Sequence, residues 1–245
     1  MAVVKQQLID ARYQPLVDGI ECYFAQSNVV LQDDRNTIKE VVFERETLVV
    51  KSYKKLGWLR GVIYTYLEKS KAWRAYEYGL RIAEFTPEVI ARIEYFQPLI
   101  GKSYFICRKF EADFDIRRPL LEVGFSDRVP IFQQFAAFVY QLHQNHIFHQ
   151  DLSPGNVLIE KNQQGYVFKI IDINRMCFKT LNIQQCAKNF NKLWADDTDL
   201  SVMLKAYAKL AQFDEVSFVQ LGVKYNQQNK ARKIRKRNIK RVLGL

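Results

Sequence analysis

The feature that most constrains this chain is an ordered run near its middle. His149-Gln150-Asp151 is followed by Asn156, five residues after Asp151. Two apolar stretches come next, Val157-Leu158-Ile159 and Tyr166-Val167-Phe168-Lys169-Ile170-Ile171, parted by Asn162-Gln163-Gln164-Gly165 and ended by Asp172. Two β-prone stretches around a polar turn with glycine predict a hairpin. A hairpin brings the chain back to where it started, so Asn156 and Asp172 are expected at the same end of it. One carboxylate can orient and accept a hydroxyl proton. An amide carbonyl and a second carboxylate are hard oxygen donors of the kind magnesium takes. The plainer alternative is that Asp151 and Asn156 cap turns and Asp172 ends a strand. An isolated D-x-x-x-x-N would not decide between the two; an apolar helix, His-x-Asp, the Asn, the hairpin and the Asp in this order favour a site.

Composition narrows the setting. The 245 residues suffice for one large domain or one two-lobed unit, and 48% hydrophobic content is enough for a core. A net charge of +11 favours an anionic partner: a nucleotide, an acidic glycolipid, a membrane surface or nucleic acid. Nucleic acid is the least expected, since no aromatic-and-glycine signature of RNA binding appears. Cys22, Cys107, Cys177 and Cys186 form no C-x-x-C pair and fit reduced thiols better than a disulfide framework. The first residues lack the long apolar core of a signal peptide, and no apolar run approaches the roughly 20 residues that span a bilayer. A cytoplasmic protein is expected, docked where needed on the inner leaflet. No sequence feature specifies an oligomeric state.

Along the chain, residues 1–20 carry no clear period. Strands are expected at Asn28–Leu31, Ile38–Phe43 and Thr47–Tyr53, where β-branched residues cluster, with a turn over Asp33-Asp34-Arg35-Asn36. Trp73, Tyr76, Leu80 and Ala83 recur at helical spacing, predicting a helix from Lys71 to Phe85 stopped by Pro87. Val89–Phe96 and Ser103–Phe110 read as another strand pair. Asp127–Asn145 reads as a helix, with Asp127 as its cap and Ile131, Phe135, Phe138, Val139 and Leu142 on one face. After Asp172 the chain turns mainly helical, with a cap at Asp196–Asp199. These elements imply an α+β class, strands first and helices after. The expected boundaries are 1–108 for a sheet-rich lobe with one main helix, 109–229 for a mainly helical lobe holding the motif, and 230–245 for a basic tail.

The motif residues resemble the protein-kinase-like superfamily, whose pattern H-R-D-L-x-x-x-N has the spacing of Asp151 and Asn156. More narrowly, the stretch from Leu142 to Leu158, with Ile171-Asp172-Ile173-Asn174-Arg175, looks like the bacterial lipopolysaccharide kinases that phosphorylate Kdo or heptose of the inner core. The helix Lys71-Ala72-Trp73-Arg74-Ala75-Tyr76-Glu77-Tyr78 is similar to that family's basic, aromatic helix. The resemblance covers roughly residues 25–205. It implies a bilobal protein-kinase-like fold with ATP held between a sheet-rich N-lobe and a helical C-lobe. It implies Asp151 as the catalytic carboxylate, Asn156 and Asp172 as magnesium ligands, and Lys51 as the strand lysine on the α- and β-phosphates. Glu77 would pair with Lys51, with Glu68 and Glu84 as rivals. Lys109, Phe110 and Glu111 would form the adenine-binding hinge.

The departures carry information too. No glycine occurs between Gly19 and Gly57, so a glycine-rich phosphate loop is missing and the turn with Arg35 would have to cover ATP another way. Gln150 stands where the family pattern has Arg, Ser153 where protein kinases commonly carry Lys, and no Ala-Pro-Glu follows Asp172. These losses argue against a peptide acceptor and for a small or glycolipid one. His143, His146 and His149, three apart, read as a helix end, a turn and a loop residue rather than converging zinc ligands. The basic run from Lys230 to Arg241 is a solvated helix end or tail, or a contact to acidic headgroups, and the basic, aromatic stretch from Lys54 to Tyr66 is a buried helix or an interfacial surface that sinks its rings into a headgroup layer. The expected activity is ATP- and magnesium-dependent phosphorylation of an alcohol, a sugar hydroxyl of a lipopolysaccharide precursor. A soluble small-molecule kinase of the aminoglycoside or choline type and a pseudokinase binding module remain the alternatives.

Overall fold

The computed structural model describes residues 3–242 apart from 35, 55, 56 and 123, so Arg35, Lys55, Leu56 and the last three residues of the expected tail lie outside the described residues. The chain divides into two compact units, Met1–Glu111 with Asp172–Asn174, and Ala112–Ile171 with Arg175–Leu245. The expected first boundary lay three residues earlier, and spacing alone had no way to place Asp172–Asn174 with the first unit.

The first unit is built on a six-stranded antiparallel sheet. In chain order it contains β1 (Val3–Leu8), short helices α1 (Gln14–Asp18) and α2 (Ile20–Gln26), β2 (Val30–Asp33), β3 (Asn36–Phe43) and β4 (Glu46–Tyr53). These are followed by α3 (Trp58–Val62), which runs into a π turn, then α4 (Lys71–Arg81), β5 (Val89–Phe96) and β6 (Ile100–Arg108). The strand order is β1-β5-β6-β4-β3-β2. Strand geometry alternates side chains between faces. On β4 this sends Leu48 and Val50 into a core with Ile90, Ile93, Tyr104, Ile106, Leu16, Val17 and Ile20. Val49, Lys51 and Tyr53 therefore take the opposite face, opposite Cys107, Phe105 and Ser103 of β6 in register. Helix α4 starts where the Ser70 hydroxyl accepts the Trp73 N–H at 2.9 Å. It ends at Arg81 rather than Phe85, because Ile82 N–H tightens onto both Tyr78 and Gly79 carbonyls. Strand β1, absent from the sequence expectation, is an exposed edge strand paired with β5, and such a strand shows no in–out alternation.

The second unit contains β7 (Phe114–Asp115), α5 (Arg117–Leu121), α6 (Arg128–Gln144), β8 (Ile147–His149), β9 (Val157–Asn162), β10 (Gly165–Ile170), β11 (Met176–Phe178), α7 (Ile183–Asn189), α8 (Asp197–Ala211) and α9 (Glu215–Val242). The expected hairpin is β9–β10, register Val157 to Ile170, extended by β7; β8 pairs with β11. Helix α6 buries Ile131, Phe132, Phe135, Val139, Leu142 and His143 against an aromatic core in which Tyr207 of α8 stacks on Phe218 of α9 at 5.2 Å. Asp127 does not cap α6. Its backbone is left-handed (φ 59°), whereas a side-chain cap requires an extended residue. Its carboxylate instead accepts from Lys161 Nζ and Tyr166 OH at 3.1 and 3.0 Å. The Asp196 cap does form, onto Asp199 N–H at 2.8 Å. Residue 230 marks no break: α9 runs on through the basic segment to Val242.

Candidate active site

Two sets of residues carry the motif chemistry, one in each unit. In the first, Lys51 near the end of β4 places Nζ 2.5 Å from Asp172 Oδ1, and Asn174 Nδ2 donates to the same oxygen at 2.8 Å. Asp172 sits at φ 56°. A left-handed backbone is disfavoured for a residue with a side chain, though Asp tolerates it better than most, and such outliers concentrate at functional sites. The Tyr53 ring lies 5.5 Å from Lys51 Nζ, and its hydroxyl is wholly buried near Asp172 and Asn174. Burial first, then the Asp172 charge, push its ionisation far up, so Tyr53 remains a neutral phenol. Burial likewise drives the Cys107 thiol on the same sheet face up to about 12, leaving an inert small side chain there.

The expected Lys51–Glu77 ion pair is not formed. Lys51 pairs with Asp172, and Glu77 is a half-buried residue of α4. Lys109 differs as well. Its N–H donates to the Thr47 carbonyl at 3.0 Å and is not available to adenine, while its ammonium pairs with Glu40 at 3.1 Å and Glu111 at 3.5 Å.

In the second unit the loop after β8 is held by a chain of hydrogen bonds. His149 is fully buried. Its Nδ1 accepts the Asp151 N–H at 3.1 Å, which leaves Nε2–H to donate to the Ile171 carbonyl at 3.0 Å. The neutral tautomer that these two bonds require ties the loop after β8 to the end of β10. Asn156 Nδ2 donates to the Asp151 carbonyl at 2.9 Å, and Ile171 N–H to the Asn156 carbonyl at 3.0 Å. The amide of Asn156 is thus oriented by its nitrogen, and its Oδ1 has no protein partner among the described residues. The Asp151 carboxylate is 37% exposed and lies 3.9 Å from the Arg175 guanidinium. Behind the loop, Asn189 Nδ2 donates to the His149 carbonyl at 2.9 Å, and its Oδ1 accepts from His143 Nε2–H at 2.9 Å. His143 Nδ1 in turn accepts from Tyr207 OH at 2.8 Å. His143 and His149 are therefore bonded through both ring nitrogens, and His146 turns the chain at φ 59°.

Sequence reasoning assigned no role to Asn174, Arg175, Asn189 or Tyr53. For the first two the signal was their place two and three residues after Asp172. The other two carry none, because their partners lie 40 and more residues away.

The sequence profile of the lipopolysaccharide kinase (Kdo/WaaP) family matches residues 102–212. WaaP, solved in complex with acyl carrier protein, superposes with a TM-score of 0.62 at 13% identity, over 92% of this chain and 99% of that one. The chain has a protein-kinase-like fold and resembles the lipopolysaccharide kinases. The kinase domain of maize sucrose-induced receptor kinase 1, solved with AMP-PNP, shares the fold at a TM-score of 0.51 and 14% identity, over 92% of this chain and 86% of that one. No curated protein matches the chain by sequence.

Proposed function

We propose that this chain is an ATP- and magnesium-dependent phosphotransferase that phosphorylates a sugar hydroxyl, of Kdo or heptose, in a lipopolysaccharide inner-core precursor. The observation that carries the reading is the His149 loop. It holds Asp151 with an exposed carboxylate, and Asn156 with an oriented, unpartnered Oδ1, at the spacing of the kinase pattern.

Asp151 orients the acceptor hydroxyl toward the γ-phosphate and takes its proton as the new P–O bond forms; the bond to the β-phosphate oxygen breaks and ADP leaves. Asn156 Oδ1 and the Asp172 carboxylate are hard oxygen donors and fit magnesium. Magnesium, when bound, neutralises charge on the phosphate oxygens. Lys51 is the cation for the α- and β-phosphates, and its pairing with Asp172 keeps it near the metal-binding carboxylate meanwhile. Glu77 is proposed as its partner once nucleotide draws the ammonium away from Asp172, with Phe110 and Glu111 meeting adenine.

No helix among the described residues is long and apolar enough to cross a membrane. A lipid-borne acceptor would be met at a bilayer surface, where the exposed Trp58, Leu59, Tyr66 and Leu67 and the basic end of α9 suit anionic inner-leaflet headgroups. The missing phosphate-loop glycines favour a second reading, a pseudokinase that binds without turnover. A donor–acceptor screen with ATP, offering Kdo- and heptose-bearing lipid A precursors beside aminoglycosides and choline, tests the proposal. Phosphate on the glycolipid alone supports it. Phosphate on an aminoglycoside or choline moves the protein to the small-molecule kinases.

A further inference from the structure

Helix α9 does more than end the chain: it is seated against the segment that supports the catalytic loop. Asn229 Nδ2 donates to the Asn191 carbonyl at 2.7 Å, and Asn226 Nδ2 and Lys230 Nζ to the Ala195 carbonyl at 3.0 and 2.7 Å. That segment, 189–195, is tied in turn to His149, two residues before Asp151, by the Asn189 bond at 2.9 Å. One helical turn past Asn229, Lys233 lies with Nζ 4.0 Å above the ring of Trp194. Trp194 is held in a left-handed backbone (φ 60°) between buried Leu193 and Ala195 and is itself 39% exposed.

Other charges lie close to Lys233 and to Asp151. Lys233 feels the charges of Lys192, Arg232 and Asp151, and partial burial together with its cationic neighbours pulls its pKa down. Arg175 stands 3.9 Å from the Asp151 carboxylate and is itself 60% exposed. Like charges held together and only partly desolvated are unfavourable without an anion between them. Asp151 is a single carboxylate near Arg175 and within the field of Lys233, and the reading above gives it an acceptor hydroxyl to bind.

We propose that Lys233, carried over the Trp194 ring, forms with Arg175 and Lys192 an anion subsite beside Asp151 that takes a carboxylate or phosphate carried by the acceptor. This rests on the phosphotransferase reading and deepens it: the enzyme selects an acidic sugar by its charge and so fixes which hydroxyl reaches Asp151. The basic residues of α9 beyond Lys233 are not part of the subsite.

The test uses Lys233→Met, which keeps the stem over Trp194, Arg175→Gln, and the double variant. In steady-state assays the parent should prefer Kdo over Kdo carboxamide by about tenfold in kcat/KM, the scale of a few partly exposed charge contacts. The double variant should lose that preference through a higher KM for Kdo, with the KM for ATP unchanged. An undiminished preference overturns the subsite while leaving phosphotransfer standing. So does an effect of the variants on binding to anionic vesicles with none on the acceptor KM. Binding of inorganic phosphate to protein saturated with AMP-PNP and magnesium, followed by calorimetry, does not depend on turnover. Binding weakened about tenfold in the double variant supports the subsite even where no acceptor is phosphorylated, an outcome that would sink the phosphotransferase reading alone; equal binding overturns the subsite.

Discussion

Acid should loosen the second unit through His143. This side chain of α6 is buried, donating from Nε2 to Asn189 and accepting the Tyr207 hydroxyl at Nδ1. Burial holds its pKa down at about 4, the Asn189 bond opposing to a lesser degree, whereas an unhindered histidine titrates near 6.5. The folded value is the lower one, so the unfolded chain takes up the proton first as pH falls. The stabilisation is complete above about pH 6.5 and is lost progressively down to about pH 4. At about 1.4 kcal/mol per unit the whole loss is about 3 kcal/mol, of which about 2 kcal/mol falls between pH 7.5 and 5. Tyr207, which bonds the imidazole, and Cys186, which bonds Tyr207, are driven up by burial and stay neutral throughout this range. Urea unfolding of the parent and of His143→Gln at about pH 7.5 and pH 5 isolates the effect, because other titrations are common to both. The parent should lose about 2 kcal/mol more than the variant. An equal loss in the two proteins, or an imidazole carbon resonance titrating near 6.5 in the folded state, refutes the argument.

Other perturbations follow from the geometry. Asp172→Ala should abolish the magnesium-dependent tightening of ATP binding measured by calorimetry; identical metal dependence in variant and parent would remove Asp172 as a ligand and favour the pseudokinase. A Cβ on Gly79 would stand 2.3 Å from Val89 Cγ2 and 3.2 Å from Ile173 Cδ1. Overpacking of this kind costs about 1–3 kcal/mol, against about 1 kcal/mol gained in helix propensity, so Gly79→Ala should be neutral to destabilising by up to about 2 kcal/mol, and a rise in urea midpoint would contradict the packing. Full-length protein should bind anionic but not neutral vesicles at low salt and release them at high salt. Removing residues 234–245, which leaves Lys230 and Lys233 in place, should weaken vesicle binding more than ATP binding; indifference of the intact protein to anionic vesicles would count against docking at a membrane.

What could be read ahead of the structure was local. Asp151, Asn156, the hairpin and Asp172 are linked by short covalent spacings, and the hairpin register follows from turn and β-branched pattern, so their order carried through. Strands β3 and β4 and helix α6 announced themselves by composition and period. Relations across the chain did not. Lys51 finds Asp172, 121 residues on, where the family pattern pointed to Glu77. The tie from Asn189 to His149 spans 40 residues and leaves no periodic trace. Helix α9 passed for a tail because a run of Lys, Arg, Asn and Gln suits both a solvated helix and a disordered end. Its seating depends on Asn226 and Asn229 reaching two backbone carbonyls that only the folded chain places. Asp127 looked like a cap by type and position, and its left-handed backbone was not visible in either.

If Asp151 serves transfer of the γ-phosphate of ATP to a sugar hydroxyl, γ-labelled phosphate can be followed from ATP onto a Kdo- or heptose-bearing lipid A precursor, with the parent and Asp151→Asn compared at matched ATP occupancy. Magnesium-dependent label should reach the sugar with the parent, turnover should fall about a hundredfold or more in Asp151→Asn, the scale of a positioned base, and ATP binding should change little. Near-normal transfer by Asp151→Asn, or no label on any sugar acceptor from a parent that binds ATP, would contradict this role.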